Sequence, residues 1–320
     1  MTHELAHELD LARFAPLAPI QAFHLLVAVH DGVSNPAALA ARVTIRCPEY
    51  PPLAAADVGA LANVARTAIT SPLDKYSLWA QAFPDPWLAF MNYGYLASPP
   101  APPHPPALAG AAVVWPFAAA MYQRVAGAVD LSGADVLEVG CGRGGGAAYV
   151  ARHLGPRAVV ASDGCASNVM AARAAHALER LTFEHARAEA LPFPDSAFDA
   201  VINIESCKYY RPLAAFVAGV HRLLRPGGKL LSAYFAEPPL LTAIRDAIVR
   251  GGFAVVDEED MSVRVCAAIA QTRGNLPAII AAQSTIHAPH HYVELLDGAY
   301  TIPALTTGKA LYYRFVLARI

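Results

Sequence analysis

Glu138 stands two residues before a turn built almost only of glycine, and that pairing is the first chemistry the sequence offers. The stretch runs DVLEVGCGRGGGAAYVAR from Asp135 to Arg152. Val136, Leu137 and Val139 read as a buried strand, and the alanine-rich run after the glycines reads as a helix. A strand that ends in such a turn and opens a helix presents bare backbone N–H groups and the positive end of a helix dipole to a ligand. Gly140, Gly142 and Gly145 satisfy G-x-G-x-x-G, a weak signal alone, whose usual ligand is a pyrophosphate. A carboxylate at position 138 would repel that ligand, yet suits one carrying a positive amino group. Asp163 lies 23 residues beyond Gly140 and ends a second apolar run, AVVAS. An acidic side chain there accepts from both hydroxyls of a ribose.

Other residues could act on a substrate. Lys208, Tyr209 and Tyr210 follow the apolar run FDAVINIE, which carries Asn203 and Glu205. His287, His290 and His291 lie in a stretch expected to cover a pocket, where His291 is a candidate base and His290 a candidate substrate contact. His3-Glu4-Leu5-Ala6-His7 spells a zinc-protease motif, but a chain end offers no cleft and no third ligand. It reads as a solvated helix start, and no metal site is expected. The five cysteines are widely separated and never form C-x-x-C, so neither a disulfide framework nor a zinc site is suggested.

These residues need a large scaffold. The chain has 320 residues, 55% hydrophobic and 16% charged, with a formal net charge of −2. That allows one large domain, alone or with a small partner, and lacks the basic field of a nucleic-acid binder. MTHELAHELD has no apolar core, so no signal peptide is expected. The longest apolar run, residues 107–122, is interrupted by Pro116 and falls short of the ~20 residues that span a bilayer. The expected setting is the cytoplasm, with reduced thiols.

The elements follow from periodicity. Residues 1–75 alternate alanine-rich helices (Ile20–His30, and Asp57–Ile69 with Asp57 as N-cap) with proline breaks. They form a helical accessory segment for packing, homodimerisation or substrate capping. Aromatic residues crowd 78–96, where FMNYGYL places Tyr93 and Tyr95 around Gly94, then SPPAPPHPP makes an exposed loop. A helix is expected over 108–129. Strands are expected at 136–139, 158–162, 181–185, 198–205, 229–235, 253–258 and 310–318. Helices follow the glycine turn and occupy 167–178, 212–224, 240–250 and 263–282, the last broken at Gly274–Pro277. Arg225–Gly228 reads as a sharp turn, and residues 284–308 as irregular. Alternating strands and helices define an α/β, doubly wound, mainly parallel seven-stranded sheet with an N-terminal helical extension. Ligands bind such sheets at the carboxyl ends of the strands, where Glu138–Gly142, Asp163, Glu189 and Asn203–Lys208 converge.

The chain resembles the class I S-adenosylmethionine-dependent methyltransferases, which are Rossmann-like, and within them the small-molecule, polyketide-type members exemplified by phthiotriolone methyltransferase. The resemblance rests on LEVGCGRGG, SDG (Ser162–Gly164), LPFPDSAFDAVINIES and HRLLRPGGKLL in that order. FMNYGYL and the terminal YYRFVLAR support it, so it covers about residues 88–320. It implies a domain over 76–320 with a lid near 264–308, S-adenosylmethionine as cofactor and a small acceptor molecule. Glu138, Gly140, Cys141 and Gly142 would hold the methionine end, and Asp163 the ribose. Gly164, Ala188 and Glu189 would border the adenine. Asn203 would lie near the sulfonium, with Tyr93 and Glu205 beside the cofactor. Tyr209 and Tyr210 would line the acceptor pocket. Two positions depart from the pattern. Arg187 stands where many members carry an aspartate, so Glu189 or a backbone N–H is expected to serve the adenine. Lys208 stands where a histidine is often the base. That departure leaves open a protein that binds the cofactor for a cyclisation or a binding role.

Overall fold

The computed structural model describes residues 11–30, 32–68, 72–83, 88–97, 116–281 and 301–320. They group into two compact units, the first over residues 11–83 and the second over most of the remainder.

The first unit is helical: α1 (Pro19–His30), α2 (Pro36–Arg46), α3 (Ala55–Ala68) and α4 (Pro72–Ala82). Helix α1 is apolar on nearly every side, with Ile20, Ala22, Phe23, Leu25, Leu26 and Ala28 buried, and it packs against each of the other three. A helix apolar all round belongs in the centre of its unit. Asn35 starts α2 by accepting from the backbone N–H of Ala37 and Ala38, with Pro36 supplying the helix-ready φ of the first turn. Asp57 does not cap α3 as expected. The helix begins at Ala55, which puts Asp57 in its first turn, where a negative charge still favours the dipole.

The second unit holds a seven-stranded sheet in the order β3-β2-β1-β4-β5-β7-β6. Its strands are β1 (Asp135–Val139), β2 (Ala158–Asp163), β3 (Leu181–His185), β4 (Phe198–Ile204), β5 (Leu224–Ala236), β6 (Phe253–Asp260) and β7 (Leu311–Arg319). β1 to β5 pair in parallel, while β7 runs antiparallel between β5 and β6. The helices are α5 (Pro116–Val125), α6 (Gly145–His153), α7 (Ala166–Ala175), α8 (Leu213–Leu223), α9 (Pro238–Arg250), α10 (Ser262–Ala281) and α11 (Thr301–Thr306). The core between sheet and helices gathers Leu137, Val201, Phe216, Val220, Leu230 and Ile244, all fully buried. Since β1 is followed by β2 on one side and neighbours β4 on the other, the strand order reverses between β1 and β4. That reversal opens a crevice at their carboxyl ends.

Four local expectations are corrected. Arg225–Gly228 is no separate turn: Phe198 pairs with Leu224 and Ala200 with Lys229, so these four residues form a bulge inside β5, with Gly227 at φ +75°. Helix α10 runs unbroken through Gly274 and Pro277. Gly274 sits in open space, and the turns before it are anchored by the buried Val265, Ala268 and Ile269. A proline costs such a helix one backbone bond without ending it. Residues 301–306, inside the stretch read as irregular, form α11, with Thr301, Ala304 and Leu305 buried. The helix expected over 108–129 is described from Pro116 and ends as α at Val125, followed by one 3₁₀ turn.

Candidate functional site

The site grows from the end of β1. Strand β1 is buried along its whole length, which takes Glu138 to 1% exposure. One carboxylate oxygen, Oε1, accepts a 2.6 Å bond from the Tyr122 hydroxyl. The other, Oε2, is buried with no hydrogen-bond partner among the described residues. Burial pushes the Glu138 carboxyl up to about 7, against the downward pull of the Tyr122 bond, and the nearby Asp163 charge adds to the rise. A buried carboxylate oxygen without a donor is costly unless something cationic or N–H-bearing meets it.

The turn after β1 supplies the cradle. Gly140 sits at φ +77°, a region L side chains rarely adopt. A Cβ there would lie 2.4 Å from Ser206 Oγ and 2.7 Å from Tyr210 Oη, so the backbone is approached where no side chain fits. The N–H groups of Gly140 and Cys141 both donate to the Ser162 carbonyl, which ties the turn to the end of β2. Asp163 Oδ2 accepts from the Gly142 N–H at 2.8 Å. Cys141 is buried, and burial with the charges of Asp163 and Glu138 keeps its thiol well above the ordinary value.

β4 delivers the opposite wall. Asn203 is fully buried, and its Nδ2 donates to the Val139 carbonyl at 2.8 Å, to Ser206 Oγ at 2.8 Å and to Tyr210 Oη at 3.2 Å. Its Oδ1 is a second buried atom without a partner among the described residues. Tyr210 donates to Ser206 Oγ at 2.9 Å, and burial raises its phenol, which keeps it protonated. Glu205 holds a left-handed backbone at φ +61°, where a non-glycine residue is strained. Its carboxylate compensates by accepting from the Tyr93 N–H at 3.0 Å and the Tyr312 hydroxyl at 2.6 Å. Burial raises the Glu205 carboxyl, opposed by the Lys208 charge and by these bonds.

The expected acceptor residues lie alongside. Lys208 Nζ donates to the Phe235 carbonyl at 3.1 Å and sits over the rings of Tyr209 and Phe235, at 5.1 and 5.3 Å from their centroids. The Tyr93 ring meets Phe235 edge-on at 5.4 Å. Tyr209 is exposed, while Tyr210 packs against Phe216. Along the edge of β2, the Gly164 carbonyl contacts His185 Nε2. Ala188 is buried in the core cluster. Glu189 is engaged by the Arg211 N–H at 2.9 Å and lies 3.7 Å from Arg187. The structure thus gathers Glu138, Gly140, Cys141, Gly142, Asp163, Asn203 and Tyr210 at one crevice, with Glu205, Tyr93 and Lys208 forming an adjoining cluster. His290 and His291 lie outside the described residues, as does the motif at 3–7. Among the described residues no group could hold a metal ion, and no helix is long and apolar enough to cross a membrane.

Sequence reasoning missed Tyr122, Ser206 and Tyr312. Tyr122 had a faint signal in Gly146. A Cβ at Gly146 would fall 1.7 Å from Tyr122 Cζ, so the third glycine in a row marks a ring lying on the helix. Ser206 bonds to Asn203 and Tyr210 within four residues and to the Val139 carbonyl across the sheet, while Tyr312 meets Glu205 only because the sheet brings β7 to it.

A strand-order reversal with a glycine turn and two acidic strand ends defines a Rossmann-like fold. Comparison with known proteins sharpens this. Residues 137–232 match the family model described as a methyltransferase domain. A protein named as a probable phthiotriol/phenolphthiotriol dimycocerosates methyltransferase of Mycobacterium ulcerans is 32% identical over 64% of this chain and 79% of its own length. The fatty-acid O-methyltransferase of Mycolicibacterium smegmatis is 38% identical over 45% of this chain, and the matched stretch spans only about half, 52%, of that relative. The crystal structure of the cyclase SpnF shares the fold, with a TM-score of 0.56 at 20% identity, over 76% of this chain and 96% of its own. The chain belongs to the class I S-adenosylmethionine-dependent methyltransferases.

Proposed function

We propose that this chain binds S-adenosylmethionine at the β1–β4 crevice and transfers its methyl group to an oxygen of a small, lipid-like acceptor. The observation that carries the reading is the unpartnered, buried Oε2 of Glu138 beside a glycine backbone that no side chain can crowd. That arrangement fits a ligand with an ammonium at one end. Glu138 would take the ammonium, the Gly140–Gly142 backbone would line the methionine end, and Asp163 the ribose. Gly164, Ala188 and Glu189 would border the adenine, and the spare Oδ1 of Asn203 would face the centre of the site. When bound, the cofactor supplies an electrophilic methyl on a sulfonium. The chain's own share is alignment and exclusion of water.

The acceptor side draws on the relatives, whose names point to fatty acids and to phthiotriol and phenolphthiotriol dimycocerosates. Lys208, engaged as a donor between aromatic rings, would steady a negative acceptor oxygen by its charge. Tyr93, Tyr209 and Phe235 would present apolar surface to the rest of the molecule. Tyr210, held protonated and donating to Ser206 Oγ, would wall the pocket rather than take the acceptor's proton. The proposal includes the organisation of the chain: residues 1–75 as a helical accessory segment, and 76–320 as the methyl-transferring domain with a lid near 264–308.

Incubation with methyl-labelled cofactor and a panel of fatty acids, hydroxylated lipids and amines tests this reading. Label should appear in an ester or ether of a lipid acceptor, with one S-adenosylhomocysteine formed per methyl. Tight cofactor binding with no label in any acceptor would sink the transferase role. For the ribose assignment, Asp163→Ala removes a charged acceptor, and such bonds are worth roughly 1.5–3 kcal/mol. Titration with S-adenosylhomocysteine should show at least about tenfold weaker binding. Unchanged affinity would mean that Asp163 serves only to brace the Gly142 N–H.

A further inference from the structure

Tyr122 belongs to the buried face of α5 (PFAAAMYQRV), beside Ala118, Met121 and Val125. Its ring packs against the first turn of α6, with the ideal Cβ position of Gly146 falling 1.7 Å from Cζ and 2.1 Å from the hydroxyl oxygen. The ring is 6% exposed and has Phe90 as a neighbour at 6.0 Å. The hydroxyl donates to Glu138 Oε1 at 2.6 Å, a short, charge-assisted bond. A carboxylate rotates about its last bond unless something holds it. Here one oxygen is held by a ring that is itself wedged in place, and only Oε2 is left to meet a ligand.

We infer that Tyr122 is a positioning residue of the cofactor site, holding Glu138 in the orientation and charge state that receives the cofactor's ammonium. The inference rests on the cofactor reading above. It makes binding proton-linked near neutral pH, because a Glu138 that carries a proton offers no charge to an ammonium. The groups facing the Glu138 carboxylate are Tyr122 from α5, Cys141 from the turn and Asp163 from the end of β2. Glu205, just past the end of β4, acts on the Tyr122 phenol. Burial and the Glu138 charge hold the Tyr122 phenol well above its ordinary value, so it remains a donor throughout the accessible range. The Tyr122 bond pulls the Glu138 carboxyl down, so losing it moves the carboxyl further up.

The test is calorimetric titration of the full chain with S-adenosylhomocysteine from pH 6 to 8.5, comparing wild type with Tyr122→Phe. The phenylalanine ring keeps the wedge on Gly146 and deletes only the bond. Wild-type affinity should fall as pH drops through about 7. In Tyr122→Phe the midpoint should move up by about one unit, giving roughly fivefold weaker binding at pH 7 that is largely recovered at pH 8.5. A 3-fluorotyrosine at position 122 keeps the ring and strengthens the donor, so its midpoint should move down. That form decides the matter should Tyr122→Phe not fold. Glu138→Gln should bind weakly with a flat profile. Profiles identical across wild type, Tyr122→Phe and the fluorinated form would overturn the positioning role while leaving the cofactor reading intact. Absence of S-adenosylhomocysteine binding in wild type at every pH would overturn both.

Discussion

Glu138→Gln is expected to weaken cofactor binding by roughly 30- to 100-fold while making the cofactor-free chain more stable at pH 8. The two effects share one cause. A charged acceptor facing an ammonium contributes about 1.5–3 kcal/mol to binding, and glutamine keeps the shape without the charge. In the absence of ligand, that same charge is buried with one oxygen unpartnered, which costs the native state. The sign with pH follows from linkage. The Glu138 carboxyl lies at about 7 in the folded chain against 4.5 ordinarily, so between these values the folded chain binds the extra proton. Stability from this group therefore falls as pH rises from about 4.5 to 7, and the loss is complete above 7. At pH 8 the variant should exceed wild type by on the order of 3 kcal/mol, and the gap should close as pH is lowered to 5. Urea unfolding at the two pH values measures this. A gap that widens on acidification would show that Glu138 is already ionised in the folded chain. Stabilisation bought with lost function is the expected signature of a binding site.

The second large effect is expected from Gly146→Ala. One methyl group would land within 1.7 Å of the Tyr122 ring, which is buried and tied to Glu138 and so has no room to move. Overpacking of this kind costs typically 1–3 kcal/mol, occasionally more, and this overlap belongs at the upper end. The thermal midpoint should drop by roughly 5 °C or more. Binding of S-adenosylhomocysteine should fall with it, because a displaced ring releases Glu138. Gly274→Ala makes the contrast. Gly274 lies inside α10 with nothing within 4 Å of its Cβ position, so alanine should stabilise by about 0.5–1 kcal/mol through helix propensity alone. Equal behaviour of the two variants in thermal unfolding would contradict the packing assigned to Tyr122.

Much of the second unit was legible because its signals are local. The runs around Leu137, Val160 and Val201 are short and apolar, bounded by glycine and acidic residues, and each became a strand within a residue or two of expectation. The glycine turn announced itself through Glu138. What stayed hidden depends on partners distant in sequence. Glu205 reads as the polar end of a strand, and nothing in ESCKYY shows that β7 will bring the Tyr312 hydroxyl to it. Tyr122 precedes Glu138 by 16 residues in an alanine-rich helix, and only packing on α6 joins them. Arg225–Gly228 misled because a bulge and a turn share the same residues, and strand pairing on both sides decides between them. Pro277 misled because propensity marks a break that the anchored first half of α10 overrides.

Cofactor binding turns on a Glu138 carboxyl that is half-protonated near neutrality and releases its proton to solvent when a cationic ligand binds beside it. Carbon-13 NMR of carboxyl-labelled glutamate, with the Glu138 signal identified by its absence in Glu138→Gln, observes this directly. In the free chain that signal should titrate at about 7. With saturating S-adenosylhomocysteine its midpoint should fall by two units or more, in keeping with a new charged partner. A Glu138 signal that does not move when S-adenosylhomocysteine is added would contradict the assignment of the cofactor to this turn.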